Sequence, residues 1–259
     1  TLGSLGMVII FIAVLRQRMA ADTWMMAAGG LSWLVGNALW LFGEPVYQVV
    51  WWWAGFLILT IAGERLELGR MMRLTKLSRS LFFLAAIVFG VALIIQFISF
   101  DIGVRLLGIG VLGLATWLAR YDIARFTIRQ QGLARYIAVC LLSGYFWLGV
   151  SGAAAIVYGS ESAGPIYDLM LHSVFVGFVF GMVFGHAPII FPAVLGLDIR
   201  YSKIFYLPLL LLHLSLVVRV IGSLAGLLWL RQWGGLLNAL AILAFLPLVA
   251  PIRRKPAQE

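Results

Sequence analysis

The sequence predicts an all-α fold, a polytopic integral membrane helical bundle of about nine transmembrane helices, and three observations carry that expectation. Hydrophobic residues make up 63% of the 259 and charged residues 11%, against roughly 45–50% and 25% in soluble domains. Apolar runs of about 17–25 residues, the length that crosses a hydrocarbon core, recur from end to end, and mean hydropathy is +1.04. Basic residues cluster in alternate connections, as they do in multi-pass proteins.

Taken in order, the apolar runs fall at 1–15, 23–42, 46–62, 81–99, 102–119, 136–158, 166–195, 204–222 and 234–251. Together they read as one transmembrane domain over 1–259, with no room for a soluble one. The first run opens on Thr1 and is expected to be the remainder of a longer, N-terminally incomplete span. It lacks the basic start and small-residue cleavage site of a signal peptide. Between the third and fourth runs, "GERLELGRMMRLTKLSRS" (63–80) can be read as an amphipathic helix at the headgroups, with Leu66 and Met71 dipping in, although an ordinary anchoring loop is the preferred reading. The same reading applies to "RYDIARFTIRQQGLARY" (120–136), with Ile123 and Phe126. Trp51, Trp52 and Trp53 follow the short "GEP" turn and are expected to form an aromatic belt. The single cysteine, Cys140, lies inside a run and excludes an internal disulfide.

The net charge of +9 raises the question of nucleic acid, and the distribution of the charge answers it. Sixteen of the nineteen Lys and Arg fall in the connections after runs one, three, five, seven and nine, or beside them, whereas Arg105, Arg219 and Arg231 fall on the other side. By the positive-inside rule the sixteen are cytoplasmic, the N-terminus is outside and the C-terminus is inside. The partner these charges predict is the lipid bilayer of a bacterial-type inner membrane, and no nucleic acid.

Chemistry concentrates in "DLMLHSVFVGFVFGMVFGHAPIIFPAVLG" (168–196) and the run after it, which hold all three histidines: His172, His186 and His213. An imidazole in hydrocarbon is costly, so such residues mark function by default. In an α-helix, fourteen residues turn through about 1400° and rise about 21 Å, so His172 and His186 are expected on one face at two depths. Asp168 and Met182 each precede a histidine by four. Asp168 is expected to orient the His172 ring as a carboxylate behind a metal-bound imidazole does. Met182 is a further candidate donor. Gly177, Gly181 and Gly185 form a small-residue ladder that admits another helix or a flat macrocycle. His186 and His213 lie about nine and ten residues from the same turn, roughly 14–15 Å from the cytoplasmic edge, and so offer two imidazoles at one level. A pair that faced each other would suit a haem iron, or copper with a third donor. Arg219 is a candidate partner for haem propionates or Asp168. Pro188 and Pro192 free carbonyls just beyond His186.

The fourteen-residue spacing resembles the paired histidines of di-haem cytochromes b, although three histidines cannot serve two bis-histidine haems. "LHSVFVGFVFGMVFGHAPIIFPAVLG" followed by "LLHLSLVVRVIG" more closely resembles the NnrS family of haem- and copper-containing membrane proteins, distantly similar to the heme–copper oxidase catalytic subunit and linked to nitric oxide tolerance. The likeness covers about 60 residues. It implies haem b, with copper as a second metal, bound by His172, His186 and His213, in an oxidoreductase that carries electrons or handles nitric oxide or another diatomic gas. Proteins of that kind have about twelve spans, and heme–copper oxidases need six ligand histidines. The alternative is a non-catalytic transmembrane subunit or carrier of a larger respiratory or photosynthetic complex, its histidines structural; other membrane subunits or a redox partner are the protein partners considered. A rhodopsin is excluded because Lys76, Lys203 and Lys255 all sit at the cytoplasmic edge. The sequence has no "HExxH", and nothing places Ser173 or Ser215 as a nucleophile.

Overall fold

The computed structural model describes residues 1–72, 74–196 and 201–249, and among them every regular element is helical. The helices are α1 (Leu2–Gln17), α2 (Ala21–Leu41), α3 (Val46–Leu68), α4 (Lys76–Ile95), α5 (Phe100–Tyr121), α6 (Ala124–Thr127), α7 (Gly132–Tyr158), α8 (Gly164–His172), α9 (Gly181–Leu195), α10 (Tyr206–Leu224) and α11 (Leu228–Phe245). Helix thus lies over each of the nine apolar runs.

Among the described residues, six continuous helices are long and apolar enough to cross a membrane: Val46–Leu68, Lys76–Ile95, Phe100–Tyr121, Gly132–Tyr158, Gly164–Leu195 and Lys203–Leu224. Helix α1 is apolar but only 16 residues long. Helices α2 and α11 carry Trp, Gly and Asn, and α11 also Arg231, which lowers their hydropathy. The first expected headgroup helix is largely a continuation of α3, with residues 63–68 helical, Leu66 buried there and a short 3₁₀ turn, Gly69–Met72, following, while the second connection holds a separate helix of only four residues, α6. Several basic residues of the topology reading (Arg73, Arg200, Arg253, Arg254 and Lys255) lie outside the described residues.

The helices group into two compact units, Thr1–Ile123 with Tyr145–Phe175, and Ala124–Gly144 with the residues from Val176 onward. In the first unit, α2 and α3 close on small residues. A Cβ on Gly29 would meet Thr60, and one on Gly63 would meet Met26 and the Asp22 carbonyl. Lipid supplies no hydrophobic drive for helix association, so this close backbone approach and the hydrogen bonds it permits hold the pair. Ser32 donates to the Trp52 carbonyl at 2.7 Å, Asn37 to Ser4 Oγ at 3.0 Å, and Trp53 Nε1 to Asn37 Oδ1 at 3.1 Å. The tryptophan triplet is therefore not a simple belt: Trp51 is 1% exposed and Trp53 is tied to α2. Helices α4 and α5 pack through Gly110 and Gly113, and the Trp117 indole donates to the Ser78 carbonyl at 2.7 Å.

The second unit is built on a buried cluster of Tyr136, Cys140, Phe184, Phe205, Leu209, Leu212 and Phe245. Phe184 of α9 stacks on Phe245 of α11 with ring centroids 4.0 Å apart. Helix α10 packs along α11, where Gly222 and Gly234 allow contact at backbone distance with Arg231 and Arg219.

Candidate functional site

The helix Gly164–Leu195 carries two of the three histidines, and its middle is not α-helical. Ser173–Phe180, eight residues of sequence SVFVGFVF, form a π-helix between α8 and α9. The wider i→i+5 turn rotates less per residue than the straight α-helix for which the one-face relation of His172 and His186 was calculated. His172 belongs to the first unit and His186 to the second. Valine and phenylalanine crowd the preceding turn of an α-helix, but such composition is common in α-helical spans, and it does not announce a π-helix. Such helices are rare and recur at functional sites. Ser173, at its start, is wholly buried, and among the described residues its hydroxyl has no hydrogen-bond partner.

Both histidines of this helix are fixed in the same way. Nδ1 of His186 lies 2.7 Å from the Met182 carbonyl, and Nδ1 of His172 lies 2.9 Å from the Asp168 carbonyl. A carbonyl oxygen only accepts, so in each ring Nδ1 carries a proton, and Nε2 is the nitrogen that holds the lone pair whenever the ring is neutral. The Asp168 carboxylate approaches His172 Nδ1 as well, at 3.3 Å, in the orienting position expected for it. Both rings are partly buried. Pro188 and Pro192 lie inside α9 and remove the amide protons that would reach the Phe184 and Pro188 carbonyls.

Other expected site residues have different duties. Met182 meets His186 through its carbonyl, and its methyl group packs over Gly144 of α7. Gly181 and Gly185 face α7 too: their missing Cβ atoms would lie 3.3 Å from the Cys140 carbonyl and 3.1 Å from Cys140 Cβ. The space a macrocycle would need against these two glycines is filled by a helix. Arg219 lies across Gly234 and Gly235 of α11 and donates to the Arg231 carbonyl at 3.1 Å, bridging the α10–α11 pair. Ser215, buried, hydrogen-bonds Asn238 Oδ1 at 2.5 Å, which ties α10 to α11. His213 is partly buried on α10.

These donors fit some metal groups better than others. Among the described residues, no group of three His, Cys, Asp or Glu side chains is disposed to hold a metal ion, so copper with three such donors finds no ready site. A haem iron asks for only one or two imidazole Nε2 lone pairs, and His186 and His172 are held in that tautomer.

Sequence reasoning missed one feature altogether. In the second unit a cleft of about 730 Å³ is lined by Gln131, Arg135, Tyr201, Lys203 and Tyr206. The two segments that form it, 131–139 and 201–206, had been assigned to the same membrane side, and that shared side was the available signal.

No curated protein and no solved structure matches the chain. A family model described as a domain of unknown function, DUF8744, matches residues 1–253. The chain, with its interrupted histidine helix, belongs to that family.

Proposed function

We propose that the protein crosses a bacterial-type inner membrane nine times, with its basic connections in the cytoplasm, and that it is a haem protein of the NnrS kind working in electron transfer or diatomic gas handling. The observation that carries this reading is the π-helix between two histidines whose Nδ1 protons are both committed to carbonyls of their own helix. A π-helix gives up good hydrogen-bond geometry, and helices that keep one commonly do so at a working site. His186 would hold the haem iron, with His213, on α10 of the same unit, as the candidate second ligand. His172, backed by Asp168, is the candidate ligand in the other unit. Haem b would supply a reversible one-electron couple or an open coordination position for nitric oxide. The chain's part is to present Nε2 as the basic nitrogen and to keep the ring from turning.

The visible spectrum of the full chain, purified from a haem-replete host, tests this. A Soret band that is lost in His186→Ala supports the proposal, and a colourless wild-type protein rejects it. A band unchanged in all three single histidine variants rejects the ligand assignment.

The second reading, a non-catalytic membrane subunit or carrier, is favoured by the packing duties of Gly181, Gly185 and Arg219, all of which are spent on neighbouring helices. On that reading the imidazoles hydrogen-bond to their own helix, and the purified protein is colourless.

A further inference from the structure

The cleft at the start of α7 gathers positive charge from several sources. Helix α7 begins at Gly132, which lines the cleft with φ +66°. On the facing segment Ser202 caps a short 3₁₀ turn, Lys203–Phe205, that leads into α10. The start of a long helix such as α7 carries unsatisfied N–H groups and a partial positive charge that favours anions. The guanidinium of Arg135 and the ammonium of Lys203, both exposed, line the cleft. Among the described residues neither makes an ion pair, and no Asp or Glu lines the cleft.

Neutral donors complete the lining. Tyr201 and Tyr206 pack against the buried ring of Tyr136, centroids 5.8 and 5.2 Å away, which holds them at the cleft wall. Gln131 adds an amide. Two full charges beside the start of α7, with polar side chains around them and no acidic residue among the described lining, favour an anion, and a tetrahedral oxyanion has acceptors for both cations. The volume, about 730 Å³, is far more than a bare phosphate occupies and leaves room for a substituent.

We propose that this cleft binds a phosphate group carried on a larger molecule, with Arg135 and Lys203 gripping its oxygens. The group is either the headgroup of an anionic phospholipid, as basic pockets at the ends of membrane helices take, or a free phosphate ester. The proposal is independent of the haem reading.

The test uses the full chain and two probes, phosphatidylglycerol in phosphatidylcholine nanodiscs and inorganic phosphate in a neutral detergent. Retained lipid is counted by native mass spectrometry, and phosphate is read by the shift in melting temperature. The double variant Arg135→Gln, Lys203→Gln should weaken binding of the effective probe by about tenfold or more, the scale of losing charge-assisted hydrogen bonds. Arg129→Gln, an exposed cation outside the cleft lining, should leave it unchanged. Selective retention of phosphatidylglycerol names the lipid as the source, whereas a phosphate-dependent shift in lipid-free detergent names the free ester. Absence of both responses in the wild type overturns the proposal, as does binding by the double variant equal to that of the wild type. Lys203→Gln alone, at an exposed position, serves as the folded reporter if the double variant unfolds.

Discussion

The guanidinium of Arg105, on α5, donates to the Ile156 carbonyl on α7 at 2.5 Å. It also reaches the Val157 carbonyl at 3.0 Å and the Asp101 carboxylate at 2.9 Å. One arginine therefore covers two of the carbonyls left open at the end of α7, and Asp101 in turn accepts from the Ser160 amide at 3.1 Å. Gly159 closes the arrangement at φ +60°, and a Cβ there would run into Asp101 and Arg105.

Gly159→Ala is accordingly expected to lower the melting temperature in detergent more than Arg105→Met does. A left-handed backbone costs an L side chain about 1–2 kcal/mol before any clash is counted. Asp101→Asn, which keeps an acceptor oxygen, should be the mildest of the three. Circular dichroism melts of the three variants check the order.

The Ser4–Asn37–Trp53 chain predicts a modest loss for Asn37→Leu. Hydrogen bonds between membrane helices average about 0.6 kcal/mol and seldom exceed about 1.7, so two lost bonds should cost roughly 1–3 kcal/mol. A variant that refuses to fold would show that the chain matters more than its bonds imply. Thermal denaturation measured against wild type decides.

Gly234→Val is expected to separate α10 from α11. The first added carbon would lie 2.7–2.8 Å from Arg219 Cβ and its backbone, a distance no side chain tolerates, and two packed helix backbones cannot yield as a flexible side chain does. Asn238→Leu on the same helix should cost about 1 kcal/mol or less, because the buried Asn238 Nδ2 already has no hydrogen-bond partner among the described residues and only the Ser215 bond is lost. Steric cost should thus exceed polar cost by a wide margin in a denaturation series.

The proposed nine crossings, with basic loops inside, make a labelling prediction. In a Cys140→Ala background, a cysteine at Ser160 should react with a membrane-impermeant maleimide in intact cells, and one at Gln130 should react only after lysis. Labelling of both from outside would reverse the charge-based orientation.

How much of this was legible in the sequence depends on the length of the pattern concerned. The helices, and most of their limits, were written in apolar runs against polar breaks, since a backbone in hydrocarbon must satisfy its own hydrogen bonds and has little choice but helix. The Asp168–His172 pairing was equally legible, because four residues is one turn and local geometry fixes it.

The sequence by itself therefore determined the all-α class, the apolar segments, and which residues could meet within one turn. Tertiary structure alone decided that Gly181 and Gly185 receive α7, that Arg219 clamps α11, and that Arg135 and Lys203 share a cleft. Each of these turns on helix rotation and on a partner distant in sequence, and periodicity places a residue on a face without naming what faces it. The π-helix belongs with them: its eight residues look like any other apolar turn until packing settles which hydrogen bonds form.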